Sequence, residues 1–132
     1  MTHEPIFLSF DEAIRIHSRM IDMFGGSAGV RDISLLESAL AQPQATFAGE
    51  FLYKDIASMA AAYLFGITKN HPFVDGNKRA GATAAVVFLE LNGFELDIRR
   101  EEELAEITER IAASQATIEE LISFFRERIS EA

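Results

Sequence analysis

The chain has 132 residues, no cysteine and a formal net charge of −9. That length suits one domain spanning 1–132 that folds without a disulfide or metal, and the lack of cysteine excludes zinc–thiolate centres and thiol nucleophiles and fits a reducing, cytoplasmic setting. The acidic balance argues against direct nucleic-acid binding and against docking on anionic lipid, and no apolar run approaches the length of a membrane span. The opening "MTHEPIFLSF" has neither the basic region nor the long apolar stretch of a secretory signal.

Helical signals dominate, and they predict an all-α, compact bundle of about six helices. Ser9 followed by Glu12 is a capping-box pattern, and Ile14, Ile16, Ile21 and Phe24 predict the inner positions of a helix that "GG" at 25–26 ends. "GSAGVRD" reads as a loop. "SLLE" at 34–37 repeats the capping pattern and opens a second helix that Pro43 stops. "QPQATFAGEFLY" has no helical period and reads as an extended or loop segment. Asp55 then caps a helix running to about Asn70, with Ile56, Met59, Ala60, Tyr63, Leu64 and Ile67 on its buried faces.

Pro72 breaks that helix and pushes His71 out of the right-handed region. A new helix starts near Asn77, "NKRAGATAAVVFLELNG", with small residues in its first half and a stop at Asn92-Gly93. Its uncharged middle marks it as central. "FELDI" alternates as a short strand or extended link does, and "REEELAEITERIA" reads as an exposed acidic helix. "TIEE" at 117–120 caps a last helix with Ile118, Leu121, Ile122, Phe125 and Ile129 inside.

The loop between the two central helices carries the chemistry: "NHPFVDGNKRAG", residues 70–81. The first N–H groups of a helix lack internal partners and lie at the positive end of its dipole, which makes an anion site. Gly76 lets the backbone turn tightly, and Asn77 can fix the turn with its amide. Lys78 and Arg79 add two cations where acids are normally favoured, and an anionic ligand resolves that conflict. A phosphate chain fits. Asp75 beside phosphates points to a bridging divalent metal, and His71 is a neutral base near physiological pH. Base, anion cradle and metal carboxylate are the parts of phosphoryl or nucleotidyl transfer to a hydroxyl. Phe73 reads as the inward anchor of the loop. Taken singly, each residue is more often a cap, a turn or a solvated charge, and it is the whole block in nine residues that points to a site.

The block His71, Phe73, Asp75, Gly76, Asn77, Lys78, Arg79 resembles the signature of the Fic/Doc superfamily, in its death-on-curing (Doc) form. "GVRD", "LLESALAQPQATFAGE" and "VFLELNG" are similar to segments at corresponding places in Doc-like proteins. The resemblance implies a compact helical fold with the motif loop between two central helices. It implies that His71 accepts the proton of a protein hydroxyl and that Asp75 holds Mg2+. Nucleotide binding, for ATP, would fall to the motif block from Phe73 through Gly76, Asn77, Lys78 and Arg79, and catalysis to His71, Asp75, Lys78 and Arg79. It also implies a toxin of a toxin–antitoxin pair, restrained by a Phd-like antitoxin, that moves the γ-phosphate of ATP to a threonine of elongation factor Tu and so inhibits translation.

Fic adenylyl transferases usually read Gly-Asn-Gly-Arg with a second arginine three residues on. Here Lys78 replaces the glycine and Ala82 the arginine, which favours phosphoryl over adenylyl transfer within that resemblance. A non-catalytic protein using the loop as an anion or peptide site is the rival from another class. The self-restraint motif of Fic proteins finds only Ser123 to Glu127, with Arg128 where glycine or asparagine belongs. "QATFAGEFLY" falls where the family places a substrate-aligning flap, which could bind a peptide by strand addition. "GGSAG" at 25–29 is a helix stop and not a Walker loop, and His3 and His17 have no zinc-ligand spacing. Arg31 and Asp32 line the site or cap a helix, with the cap favoured. Glu101 to Glu103 read as a solvated helix start that could also meet a basic antitoxin surface.

Overall fold

The computed structural model describes residues 4–132, in which six helices carry two small antiparallel sheets. Helix α1 (Phe10–Phe24) starts at the expected capping box: Ser9 Oγ accepts the Glu12 N–H at 3.1 Å, and the Glu12 carboxylate accepts the Ser9 N–H at 2.8 Å. Its inner face differs from the expected one. Ala13, His17 and Met20 are buried, Ile14, Ile16 and Ile21 only half so, and Phe24 is exposed. The helix covers a polar loop as well as apolar core, so hydrophobicity alone misplaces its face.

Helix α2 (Ile33–Ala41) begins earlier than "SLLE" suggests. Asp32 is extended and its carboxylate accepts the Leu35 N–H at 3.0 Å, which places Ser34 inside the first turn. Pro43 lies in a short 3-10 turn, Gln42–Gln44, that continues from the helix. The next stretch is a hairpin rather than a plain loop: β1 (Thr46–Phe47) pairs with β2 (Glu50–Phe51) through a turn in which Ala48 and Gly49 both have positive φ.

Helix α3 (Ile56–Asn70), capped by Asp55 as expected, is buried around most of its circumference. Helix α4 (Asn77–Leu91) packs along it. Their close approach needs Gly81, because a Cβ there would stand 2.8 Å from Thr68 Oγ1 and 3.2 Å from the Leu64 carbonyl. Large side chains at this seam, Tyr63, Leu64, Ile67, Phe88 and Leu89, are fully buried. Truncating one to alanine should cost about 2–5 kcal/mol, since the cavity cannot collapse in so dense a seam.

Strand β3 (Phe94–Leu96) pairs antiparallel with β4 (Ile129–Glu131). The last helix, α6 (Ile118–Arg128), therefore ends one residue before Ile129, which is extended and belongs to the strand rather than to the helix's inner face. Helix α5 (Glu103–Ala112) is acidic and amphipathic, with Ile107, Thr108 and Ile111 turned inward. Glu103 is not solvated. It is buried, ion-paired with Arg128, and accepts the Arg99 N–H at 2.7 Å.

Candidate functional site

The motif loop joins α3 to α4 at the end of the central seam. His71 terminates α3 in the left-handed region (φ 50°, ψ 54°), a conformation consistent with the steric demand of Pro72 against right-handed helix. Arg31 closes the helix end: Nε donates to the His71 carbonyl at 2.7 Å and Nη2 to the Asn70 carbonyl at 3.1 Å. Arg31 and Asp32 are thus both caps, of two different helices. The segment around them runs beside the loop. The Arg31 and Asp32 N–H groups donate to the Pro72 carbonyl at 2.7 and 3.0 Å, and the Val74 N–H donates to the Gly29 carbonyl at 3.0 Å.

Asn77 clips the loop from within. Its Oδ1 accepts the Phe73 N–H at 2.9 Å and its Nδ2 donates to the Phe73 carbonyl at 3.1 Å. The same Nδ2 lies 3.4 Å from His71 Nδ1, too long to fix the ring's tautomer. Phe73 is 1% exposed, so its ring meets no ligand and bears on the site only through the loop backbone. It stacks on the buried His17, with centroids 3.9 Å apart and planes within 1°. His17 Nε2 reaches the Asp75 carbonyl at 2.7 Å. The lack of zinc spacing hid this role in the sequence. His3 lies outside the described residues.

The glycine-rich stretch after α1 is a helix stop with a second task. Ser27 N–H donates to Asp75 Oδ2 at 3.2 Å, and Gly76 N–H to Oδ1 at 2.9 Å. A Cβ at Gly26 would stand 2.7 Å from Oδ2. Asp75 is exposed, and its carboxylate is aimed by backbone on both oxygens. Gly76, left-handed at φ 72°, precedes α4 and gives it no side-chain cap, whereas α1, α2, α3 and α6 each have one. The free helix start suits an anion.

His71, Asp75, Gly76, Asn77, Lys78 and Arg79 all line one cleft of about 720 Å3. Its walls add residues that the motif did not disclose: Met20 and Phe24 from α1, Ala82 and Thr83 from α4, and Thr108 and Glu109 from α5. Lys78 Nζ pairs with the Glu109 carboxylate at 2.5 Å, both half-exposed or more. The Arg79 guanidinium lies over the Phe24 ring, 4.5 Å from its centroid. Lys78 and Arg79 therefore face the same cleft as His71 and Asp75. A second cleft at the other end of α3 contains the Asp55–Arg126 ion pair and none of the motif. Neither the hairpin β1–β2 nor Ser123 and Glu127 line the motif cleft.

Among the described residues no group of three or more His, Asp or Glu side chains could hold a metal by itself. Asp75 alone offers an exposed, oriented carboxylate in the cleft's loop. That donor set fits Mg2+, which is commonly held by one or two carboxylates plus phosphate oxygens and water.

Comparison with known proteins agrees with this geometry. A sequence profile described as the Fic/DOC family matches residues 7–89. The chain belongs to the Fic/DOC family. It is 46% identical over 85 residues to the protein named Toxin Doc of Mycolicibacterium smegmatis (strain ATCC 700084 / mc(2)155), across 61% of this chain and 65% of that relative, just under two thirds of its length. It is 29% identical over 119 residues to the protein named Protein kinase doc of Escherichia phage P1, across 90% of this chain and 92% of that protein.

Proposed function

We propose that this chain is a Doc-type protein phosphotransferase that moves the γ-phosphate of ATP to a serine or threonine hydroxyl. The observation that carries the reading is the convergence of His71, Asp75, Lys78 and Arg79 on one cleft at the uncapped start of α4. Similarity over nine-tenths of the chain to a relative named a protein kinase supports it. The triphosphate lies against the α4 N–H groups and the cations of Lys78 and Arg79. His71 takes the proton of the target hydroxyl. The hydroxyl oxygen bonds to the γ-phosphorus, the bond to the β–γ bridging oxygen breaks, and ADP leaves. Asp75 would hold Mg2+, which when bound would supply charge neutralisation at the phosphates. Asn77, Phe73 and Gly76 hold the loop that presents these groups.

On the family resemblance, the target is a threonine of elongation factor Tu, and the outcome is arrested translation in the cytoplasm. The chain is a toxin restrained by a Phd-like antitoxin. Exposed apolar groups at the cleft, Phe24, Val74 and Ile98, offer surface to such a partner, and the net charge of −9 favours a basic one.

The test is incubation with ATP labelled at either the γ- or the α-phosphate, with Mg2+ and purified elongation factor Tu or a cell extract. Protein label from γ-labelled ATP alone is expected. Label from α-labelled ATP shows adenylyl transfer instead. No label from either, with folded protein, shows a binding protein without catalysis.

A further inference from the structure

We propose that His17 is a positioning residue for the transfer reaction: it sets the motif loop, and with it the start of α4, by holding the Asp75 carbonyl. The inference rests on the phosphotransferase reading for its kinetic consequence, and on geometry alone for its structural one. His17 is 3% exposed on the face of α1 that covers the loop. Its Nε2 lies 2.7 Å from the Asp75 carbonyl oxygen, which can only accept, so Nε2 carries the proton. Its ring lies flat on Phe73, the anchor at the other end of the turn. One imidazole thus fixes both ends of the stretch Phe73–Asp75.

The Asp75 carbonyl belongs to the peptide that joins Asp75 to Gly76. Its direction fixes that peptide plane, and with it the Gly76 N–H that donates to Asp75 Oδ1 and the heading of the first N–H groups of α4. Gly76 lies against the same support: a Cβ there would be 3.3 Å from Ile21 Cδ1 and 3.8 Å from His17 Nε2. A purely apolar side chain would fill this space without the desolvation that a buried imidazole suffers. What only a donor supplies is a partner for the carbonyl. Neither the cleft's lining nor the motif includes His17, so its effect is exerted through the loop.

The experiment compares wild type with His17→Gln, which keeps an N–H donor, and His17→Phe, which keeps the stacked ring without one. His17→Met replaces the latter if it does not fold. Thermal midpoint, initial rate of γ-phosphate transfer and amide hydrogen exchange are measured on each. The donorless variant, still cooperatively folded, should lose about 10-fold or more in kcat, the scale expected when reacting groups are slightly misplaced. Its exchange should accelerate at residues 73–79 and not in the α3–α4 seam. His17→Gln should recover most of both. A folded donorless variant with wild-type kcat and wild-type protection at 73–79 overturns the proposal, and so does a His17→Gln variant as impaired as His17→Phe. If the wild type transfers no phosphate at all, the phosphotransferase reading falls, and the exchange comparison alone decides the role of His17.

Discussion

Asn77 and Phe73 are joined by two hydrogen bonds, with the Asn77 amide accepting from the Phe73 N–H and donating to the Phe73 carbonyl. The pair closes the motif loop over four residues, and both members are buried. Asn77→Ala leaves two buried backbone groups without partners, at about 1–3 kcal/mol each. A urea titration should show a lower midpoint, and the folded protein should have a reduced transfer rate. Asn77→Asp, which keeps the acceptor and loses the donor, should fall between.

His71 is exposed, and its side chain contributes little packing. His71→Ala should leave the thermal midpoint near that of wild type. Transfer should fall by about 10²- to 10⁴-fold, as expected for loss of a general base. Equal losses of stability and rate would assign His71 to the fold.

Gly26 and Gly25 both have positive φ, so alanine is strained at either. Only at Gly26 would the new Cβ meet Asp75 Oδ2, at 2.7 Å, whereas at Gly25 nothing lies within 4 Å. Both variants should lose stability, by about 1–2 kcal/mol from backbone strain. Gly26→Ala should in addition displace the Asp75 carboxylate and raise the Mg2+ concentration needed for half-maximal transfer. Gly25→Ala should not.

Glu109 pairs with Lys78 in the cleft, and on the phosphotransferase reading it would compete with phosphate for that cation. The pair is exposed and worth about 0–1 kcal/mol, so Glu109→Gln should lower the KM for ATP by at most about five-fold and leave the fold unchanged. A KM for ATP that rises instead would show that Glu109 does not compete with the nucleotide for Lys78.

Burial works to raise the Glu103 carboxyl, but the Arg99 N–H and the Arg128 guanidinium outweigh it and hold the group below its ordinary value of 4.5. In Asp55, burial is likewise outweighed, by Arg126 and Ser58, below its ordinary 3.8. The unfolded chain thus binds protons first as pH falls. The stability from both groups is present above those ordinary values and is lost as pH drops through the folded ones. Urea midpoints should fall as pH is taken below about 4.5, and Glu103→Gln should flatten that dependence.

Much of this was legible from residues. The capping boxes at Ser9 and Thr117, the cap at Asp55 and the buried faces of α3 follow from local pattern. So does the presence in one cleft of His71, Asp75, Gly76, Asn77, Lys78 and Arg79, because motif chemistry is local in sequence, whereas Phe73 is buried beneath the loop. The rest depends on contacts between distant segments. His17 is a polar residue on an inner face, which hydrophobic periodicity excludes, and its partner lies 58 residues away. Ile129 fits the helical period of α6 until β3 offers it a strand to pair with. Glu103 looks solvated until Arg128 from α6 is placed beside it. The hairpin at 46–51 has strands too short for any period to show.

If the start of α4 receives the triphosphate beside His71, nucleotide binding must register there. Backbone amide resonances followed while ATP and Mg2+ are titrated in test it most directly. Saturable shifts should concentrate at Gly76, Asn77, Lys78 and Arg79 and weaken in Lys78→Ala. Shifts confined to the Asp55–Arg126 cleft, or none at 76–79 while γ-phosphate transfer proceeds, would contradict that placement.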